Sequence, residues 1–301
     1  MPAQSTARTA RRDPRHTEDA LGRLGPWQLV RQIAGGGLAR VYQARPADGP
    51  PDRPAAYAVK VLLERWHGDA AAIETVRREA IVGHQVSHPH LVSVLAAHVD
   101  DPPYFVVMPW LAGETVAASL AAGRRPPLPV ALWFVRQAAE ALGALDAAGW
   151  MHGDVKPSNL FVAANGHLTL LDLGFARRPR ETGSAVDRCV AGTFHYIAPE
   201  MVTSALRPDI RSDLYSLGVT LYELLAGRLP FTGNTLAGLA EQHRQSTPRA
   251  IRSLVPGLPL SLAQLVHQLL AKEPLRRPQT PVELAERLTE LEIATFAERY
   301  S

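Results

Sequence analysis

Short apolar runs broken by glycine and proline fill the first third of the chain, whereas apolar residues at three- and four-residue intervals dominate the rest. Segments 27–33, 40–45 and 55–62 have the first character and predict strands of a small β-rich unit. The proline-rich stretch 46–54 between the last two reads as a solvated excursion. A helical run follows over 70–85, and 104–108 reads as a buried strand entering Pro109-Trp110-Leu111. Beyond it, Leu132, Val135, Ala138, Ala139, Leu142 and Leu145 recur with helical spacing and predict an amphipathic helix. Thr280-Pro281-Val282-Glu283 combines a capping box with proline at the first helical position, which marks the start of a last helix. A small β-rich part over 27–110 and a larger, mainly helical part over 111–301 are therefore expected.

Composition narrows the function classes. The 301 residues are 46% hydrophobic, enough for a substantial core, and the 32 basic side chains nearly balance 29 acidic ones, for a net charge of +3. That balance gives no nucleic-acid footprint, so no nucleic-acid partner is expected. Arg8, Arg11, Arg12 and Arg15 sit in a Pro/Thr/Ala-rich stretch, and 1–26 is expected to be a disordered basic arm. The single cysteine, Cys189, excludes an internal disulfide and suits a reducing compartment. No apolar run approaches the ~18 residues of a membrane span, and the arginine-rich start lacks a secretory apolar core. A soluble, cytoplasmic protein without a membrane segment is the resulting expectation; the oligomeric state is not legible.

Lysine usage adds a chemical signal. Of the 32 basic residues three are lysine, Lys60, Lys156 and Lys272, and the other 29 are arginine. Where a surface charge suffices, this chain uses arginine. A compact ammonium on a flexible stem is not equivalent to a planar fork, so retained lysines point to a chemical requirement. Lys156 lies in His152-Gly153-Asp154-Val155-Lys156-Pro157-Ser158-Asn159, which is followed by Asp172-Leu173-Gly174. A carboxylate base, a cation and two hard-oxygen groups in this order fit phosphoryl transfer, which needs positioning and charge neutralisation more than covalent help.

This pair of segments resembles the catalytic loop and the DFG element of the protein kinases. The likeness extends in order along the chain. Residues 33–42 resemble the glycine-rich loop, Tyr57-Ala58-Val59-Lys60 the strand with the nucleotide-binding lysine, and Glu79 the glutamate of the following helix. Gly192-Thr193-Phe194-His195-Tyr196-Ile197-Ala198-Pro199-Glu200 looks like the end of an activation segment, Ser212–Gly218 like the start of a buried helix, and Arg276-Arg277-Pro278 like the late arginine motif. The wording is similar to bacterial-type Ser/Thr protein kinases, which implies an α+β, bilobal fold, ATP and Mg²⁺ as cofactors, and proteins with serine or threonine acceptors as partners.

The resemblance also implies roles. Asp154 would orient and deprotonate the acceptor hydroxyl, with Lys156 and Thr193 beside it; Lys60 would bind phosphates and pair with Glu79; Asn159 and Asp172 would hold Mg²⁺. Ile33, Gly35, Gly36, Gly37, Val41, Ala58, Met108, Pro109 and Leu111 would surround the nucleotide, adenine meeting the Pro109 carbonyl and the Leu111 N–H. Glu200 and Arg277 would form a structural ion pair, Asp213 would tie down the catalytic-loop backbone, and His152 would pack beneath it. The chain departs from the pattern at Gly153 and Leu173, in place of arginine and phenylalanine, and at Ala34 and Ala39, in place of loop glycines. The alanines predict a stiffer loop and weaker ATP affinity. Gly153 predicts activity that does not depend on phosphorylating the activation segment, where Thr182 and Ser184 are the nearby hydroxyls. Two alternatives stay open: a pseudokinase that binds nucleotide without turnover, and a small-molecule phosphotransferase of the aminoglycoside or choline type, whose motif His152-Gly153-Asp154 also resembles.

Overall fold

The computed structural model of the chain describes residues 21–50, 53–179, 181, 193–202 and 207–297. The first part is an antiparallel sheet of six strands in the order β1-β2-β3-β4-β6-β5: β1 (Gly22–Leu24), β2 (Trp27–Gly35), β3 (Ala39–Pro46), β4 (Tyr57–Leu62), β5 (Ala96–His98) and β6 (Phe105–Pro109). Alternation along β3, β4 and β6 sends Ala44, Val59, Phe105 and Val107 into one small core, flanked by Trp27 and Tyr57. The opposite face receives helix α1 (Ala70–Gln85), through Ala72, Val76 and Val82. Asp69 caps α1 by accepting the Ala72 N–H at 2.8 Å.

β1 corrects the sequence-based expectation of a disordered arm through residue 26. Gly22, Arg23 and Leu24 pair with Leu29, Gln28 and Trp27 across a Gly25-Pro26 turn. Gly25 has φ +53°, a conformation open to glycine at no steric cost, and the Gly-Pro pair closes the hairpin.

The second part is helical. Helix α3 (Leu128–Ala147) presents Leu132, Val135, Ala138, Ala139, Leu142 and Leu145 to the interior, as its periodicity predicts. It packs on α7 (Pro281–Ala297) and on α4 (Ile210–Ala226). Almost all of α4 is buried, including Tyr215 and Tyr222, so it forms the pillar of this lobe. Gly218 allows the close approach of α6 (Leu260–Leu269): a Cβ there would stand 2.5 Å from Leu269 Cβ. Helices α2 (Val116–Ala121) and α5 (Leu236–Gln245) complete the α-helices of the described residues. A small antiparallel sheet of β7 (Gly113–Thr115), β8 (Leu160–Ala163) and β9 (Leu168–Leu170), in that order, packs on α2 and α3. Among the described residues no helix is long and apolar enough to cross a membrane. Cys189, Thr182 and Ser184 lie outside the described residues.

Candidate active site

Three elements converge between the lobes. Lys60 sits on β4 between Val41 of β3 and Val106 of β6, so ladder bonds on both sides fix its backbone. Its Nζ lies 2.8 Å from Glu79 Oε2 of α1 and 2.7 Å from Asp172 Oδ1. One ammonium thus serves two carboxylates. Burial alone would depress the Lys60 pKa, but Asp172 and Glu79 outweigh it and hold the amine well above its usual range. The two acids diverge. Burial pushes Glu79 up to about 7, Lys60 restrains it and Asp172 adds to the rise. Burial also pushes Asp172 upward, yet its contact with Lys60 prevails and its pKa is lowered.

Asp172 follows β9 with φ +65°, the one left-handed non-glycine among the described residues. Such a conformation costs energy and recurs at functional positions. The β8–β9 hairpin spans the thirteen-residue interval to Asn159, and the Leu171 N–H donates to the Asn159 carbonyl at 2.8 Å.

The loop before β8 carries the second charge pair. Lys156 Nζ approaches Asp154 Oδ2 at 2.8 Å, and Asn159 Nδ2 donates to the same oxygen at 3.0 Å and to the Asp154 carbonyl at 2.8 Å. Asp154 Oδ1 is buried with no hydrogen-bond partner among the described residues. Burial raises the Asp154 pKa, with Lys156 acting against it, which makes the carboxylate a stronger base than one in water. The Asn159 amide nitrogen is committed to Asp154, so the amide oxygen is the end that can face a cation. With Asp172 it makes a two-oxygen donor set of the kind Mg²⁺ accepts while keeping phosphates and water as its other ligands. No group of three or more His, Cys, Asp or Glu side chains among the described residues could hold a metal.

The scaffold of this loop is also in place. Asp213 of α4 accepts the His152 N–H at 2.6 Å and the Gly153 N–H at 2.8 Å. His152 is fully buried; its Nε2 bonds the Leu171 carbonyl at 3.0 Å and its Nδ1 accepts the Asp154 N–H at 3.2 Å. Burial lowers its pKa, which fits a neutral structural imidazole. Arg277 and Glu200 form the expected ion pair at 2.6 Å. Lys272 stands apart from this site: its Nζ donates to the His243 carbonyl at 2.7 Å and lies 4.2 Å from the Phe231 ring centre.

The glycine-rich segment joins β2 to β3. Ala34 and Ala39 lie within those strands with no positive φ, so both hold ordinary extended backbone without strain. The tip is held from outside. The Gly37 carbonyl accepts hydrogen bonds from Arg65 and from Trp66 Nε1, both at 2.7 Å. The Ala58 side of β4 and Met108 of β6 face each other in register beneath it, and Pro109 opens the connection to Leu111. Thr193 begins a short 3₁₀ turn, Thr193–Tyr196; its side chain lies outside the described residues.

Sequence comparison decides the family. Residues 27–288 match the protein kinase domain. The chain belongs to the protein kinase family. Among its relatives, the Serine/threonine-protein kinase PrkC of Bacillus subtilis is 31% identical over 85% of this chain and 39% of that protein. Pkn2 of Myxococcus xanthus, also named a serine/threonine-protein kinase, is 34% identical over 90% of this chain and 33% of its own length. The Serine/threonine-protein kinase PknL of Mycobacterium tuberculosis is 34% identical over 88% of this chain and 65% of its own. The chain therefore spans about two fifths or less of the first two relatives, and the kinase-domain match accounts for most of what is shared.

Two kinase-site features escaped the sequence reading. Arg78, next to Glu79, is 9% exposed and turns inward. It follows the same stripe as Val82, four residues on, which is the one signal that marks it. The Arg65–Trp66 support of Gly37 has no sequence signature, because it depends on how the turn after β4 folds back.

Proposed function

We propose that this chain is an ATP-dependent protein kinase that transfers the γ-phosphate to serine or threonine hydroxyls of proteins in the cytoplasm. The observation that carries the reading is Asp154, whose one oxygen is held by Lys156 and Asn159 while the other is buried and unpartnered among the described residues. A carboxylate oriented through one oxygen, with the acceptor capacity of the other unused among the described residues, is built to receive a proton from a third group.

In this reading Asp154 aligns the acceptor hydroxyl and takes its proton, and Lys156 steadies charge on the transferred group, with Thr193 bracing the two. Lys60, fixed by Glu79, binds the α- and β-phosphates. Gly35, Gly36 and Gly37 bring backbone N–H groups close to the phosphates. Ile33, Val41, Ala58 and Met108 supply apolar walls for adenine, and Pro109 C=O and Leu111 N–H its polar edge. Asn159 and Asp172 hold Mg²⁺, which when bound neutralises charge on the phosphate oxygens.

The test uses purified chain with labelled ATP, Mg²⁺ and a generic protein substrate, wild type against Asp154→Asn. Label on serine or threonine with wild type, reduced about 10²–10⁴-fold in the variant, is the expected result. Nucleotide binding without transfer from the wild type would return the pseudokinase alternative. Label on an aminoglycoside or choline and never on protein would return the small-molecule alternative.

A further inference from the structure

Helix α1 makes a second polar connection, one residue before Glu79 and toward a different part of the molecule. Arg78 is 9% exposed. Its guanidinium donates to the Ala176 carbonyl at 3.0 Å, pairs with Glu74 on its own helix at 2.9 Å, and reaches Glu181 at 2.6 Å. Ala176 and Glu181 both lie just after the Asp172-Leu173-Gly174 turn, so one side chain of α1 grips this stretch at two points.

Glu181 is itself anchored. Its Oε2 accepts the Arg178 N–H at 3.1 Å, and its own N–H donates to the Arg178 carbonyl at 3.1 Å. The Arg178 guanidinium lies 4.7 Å from the Trp150 ring centre. Arg177 exchanges backbone hydrogen bonds with Met151, at 2.8 and 2.9 Å, immediately before His152. A continuous path therefore runs from Arg78 through Glu181 and residues 176–178 to the loop that carries Asp154. The same helix presents Glu79 to Lys60. Gly153, where an arginine would stand in the family pattern, has φ +78°, and a Cβ there would be 2.6 Å from the Phe175 carbonyl oxygen. A side chain at 153 has no room in this arrangement, so the cation that meets the segment comes from α1.

We propose that Arg78 and Glu181 form a positioning pair, in which a carboxylate of the chain itself holds α1 with Glu79 turned to Lys60, so that the site is assembled without an added phosphate on the segment. Charge-assisted bonds from Arg to an anion are the usual way such segments are ordered after phosphorylation. Here Glu181 supplies the anion permanently. The Arg78 side chain is 10% exposed and that of Glu181 32%, so the pair is shielded from solvent on its Arg78 side and partly screened on the other. The inference rests on the kinase reading above.

The experiment uses the full chain, treated with phosphatase and checked by intact mass. Four measurements are made on wild type, Glu181→Gln, Glu181→Asp and Arg78→Met: kcat and KM for ATP in protein phosphorylation, thermal midpoint, and hydrogen exchange of the α1 amides. Phosphate-free wild type is expected to keep its kcat. Glu181→Gln lowers kcat about three- to thirtyfold, the range for residues that couple to a site through packing and charge. It speeds exchange in 70–85 while the thermal midpoint stays close to wild type, and Glu181→Asp restores most of the loss. Arg78→Met, which also gives up the Ala176 contact, is affected at least as much. Wild-type kcat and exchange in Glu181→Gln overturn the proposal, as does a phosphate-free wild type that is inactive until rephosphorylated. A wild type that transfers no phosphate, yet exchanges α1 faster once Glu181 is replaced, overturns the kinase reading and leaves the pair standing.

Discussion

Replacing Arg277 by lysine keeps the charge and removes the geometry. Its five N–H groups are all used: two on the Glu200 carboxylate at 2.6 and 2.8 Å, and one each on the carbonyls of Ala271, Arg211 and Lys272 at 2.8, 2.9 and 3.1 Å. Its face lies 4.8 Å from the Tyr215 ring centre, and the Arg277 and Glu200 side chains are 0% and 1% exposed. An ammonium has three donors, so at least two of the five buried acceptors lose their partner, at about 1–3 kcal/mol each. Against a domain stability of about 5–15 kcal/mol this is a large fraction. Urea unfolding should show that loss of about 2–6 kcal/mol, and thermal unfolding a midpoint lower by about 4–24 °C, from about 2–4 °C per kcal/mol in a domain of this size class. Glu200→Gln and the double variant complete a cycle, with a coupling energy above about 1 kcal/mol expected. An Arg277→Lys protein within about 1 kcal/mol of wild type, or a coupling near zero, would refute the five-donor reasoning.

Three further outcomes follow from the site. Glu79 must be ionised to hold Lys60, so with its pKa pushed up to about 7 the kcat/KM profile should lose activity as pH falls below about 7. Its folded pKa stands above the ordinary 4.5, so the stability it contributes is present below 4.5 and fades as pH rises through about 7. Glu79→Gln should flatten that slope in urea titrations, and an unchanged slope counts against the assignment. Gly153→Arg, which puts a side chain at φ +78° against the Phe175 carbonyl, should destabilise by about 1–3 kcal/mol and fail to create dependence on phosphorylation. Trp66→Phe with Arg65→Met removes both donors to the Gly37 carbonyl and should raise the ATP Kd about three- to thirtyfold by calorimetry, whereas Ala34→Gly with Ala39→Gly should change it less than about twofold.

Periodicity and capping carried much of the fold. The run 70–85 coincides with α1 because Asp69 is a side-chain cap and the inward stripe of Ala72, Val76, Glu79 and Val82 is regular. Lys60, Glu79, Asp154, Asn159 and Asp172 stand together, as their order along the chain implied, since each is placed by an element whose pattern is strong. β1 was not legible: three residues, two of them exposed, acquire strand geometry only by pairing with β2. Glu181 and Trp66 were illegible for a related reason. Each acts across a loop whose path is set by tertiary contacts, and nothing local distinguishes it from a surface residue. Ala34 and Ala39 sit at negative φ, so neither position demands the left-handed freedom of glycine, and the two replacements carry no backbone strain.

Two of the side-chain amines of this chain differ sharply in readiness to react. Burial and the neighbouring Arg277 lower Lys272 to about 8, while Lys60 is held protonated by its two acids. An acylating reagent near neutral pH therefore meets a better nucleophile at Lys272 than at Lys60. Adding an acyl group there removes the cation that rests on Phe231 and bonds the end of α5. Amine-directed labelling at Lys272 would therefore loosen the base of the large lobe, a damage distinct from a blocked nucleotide site.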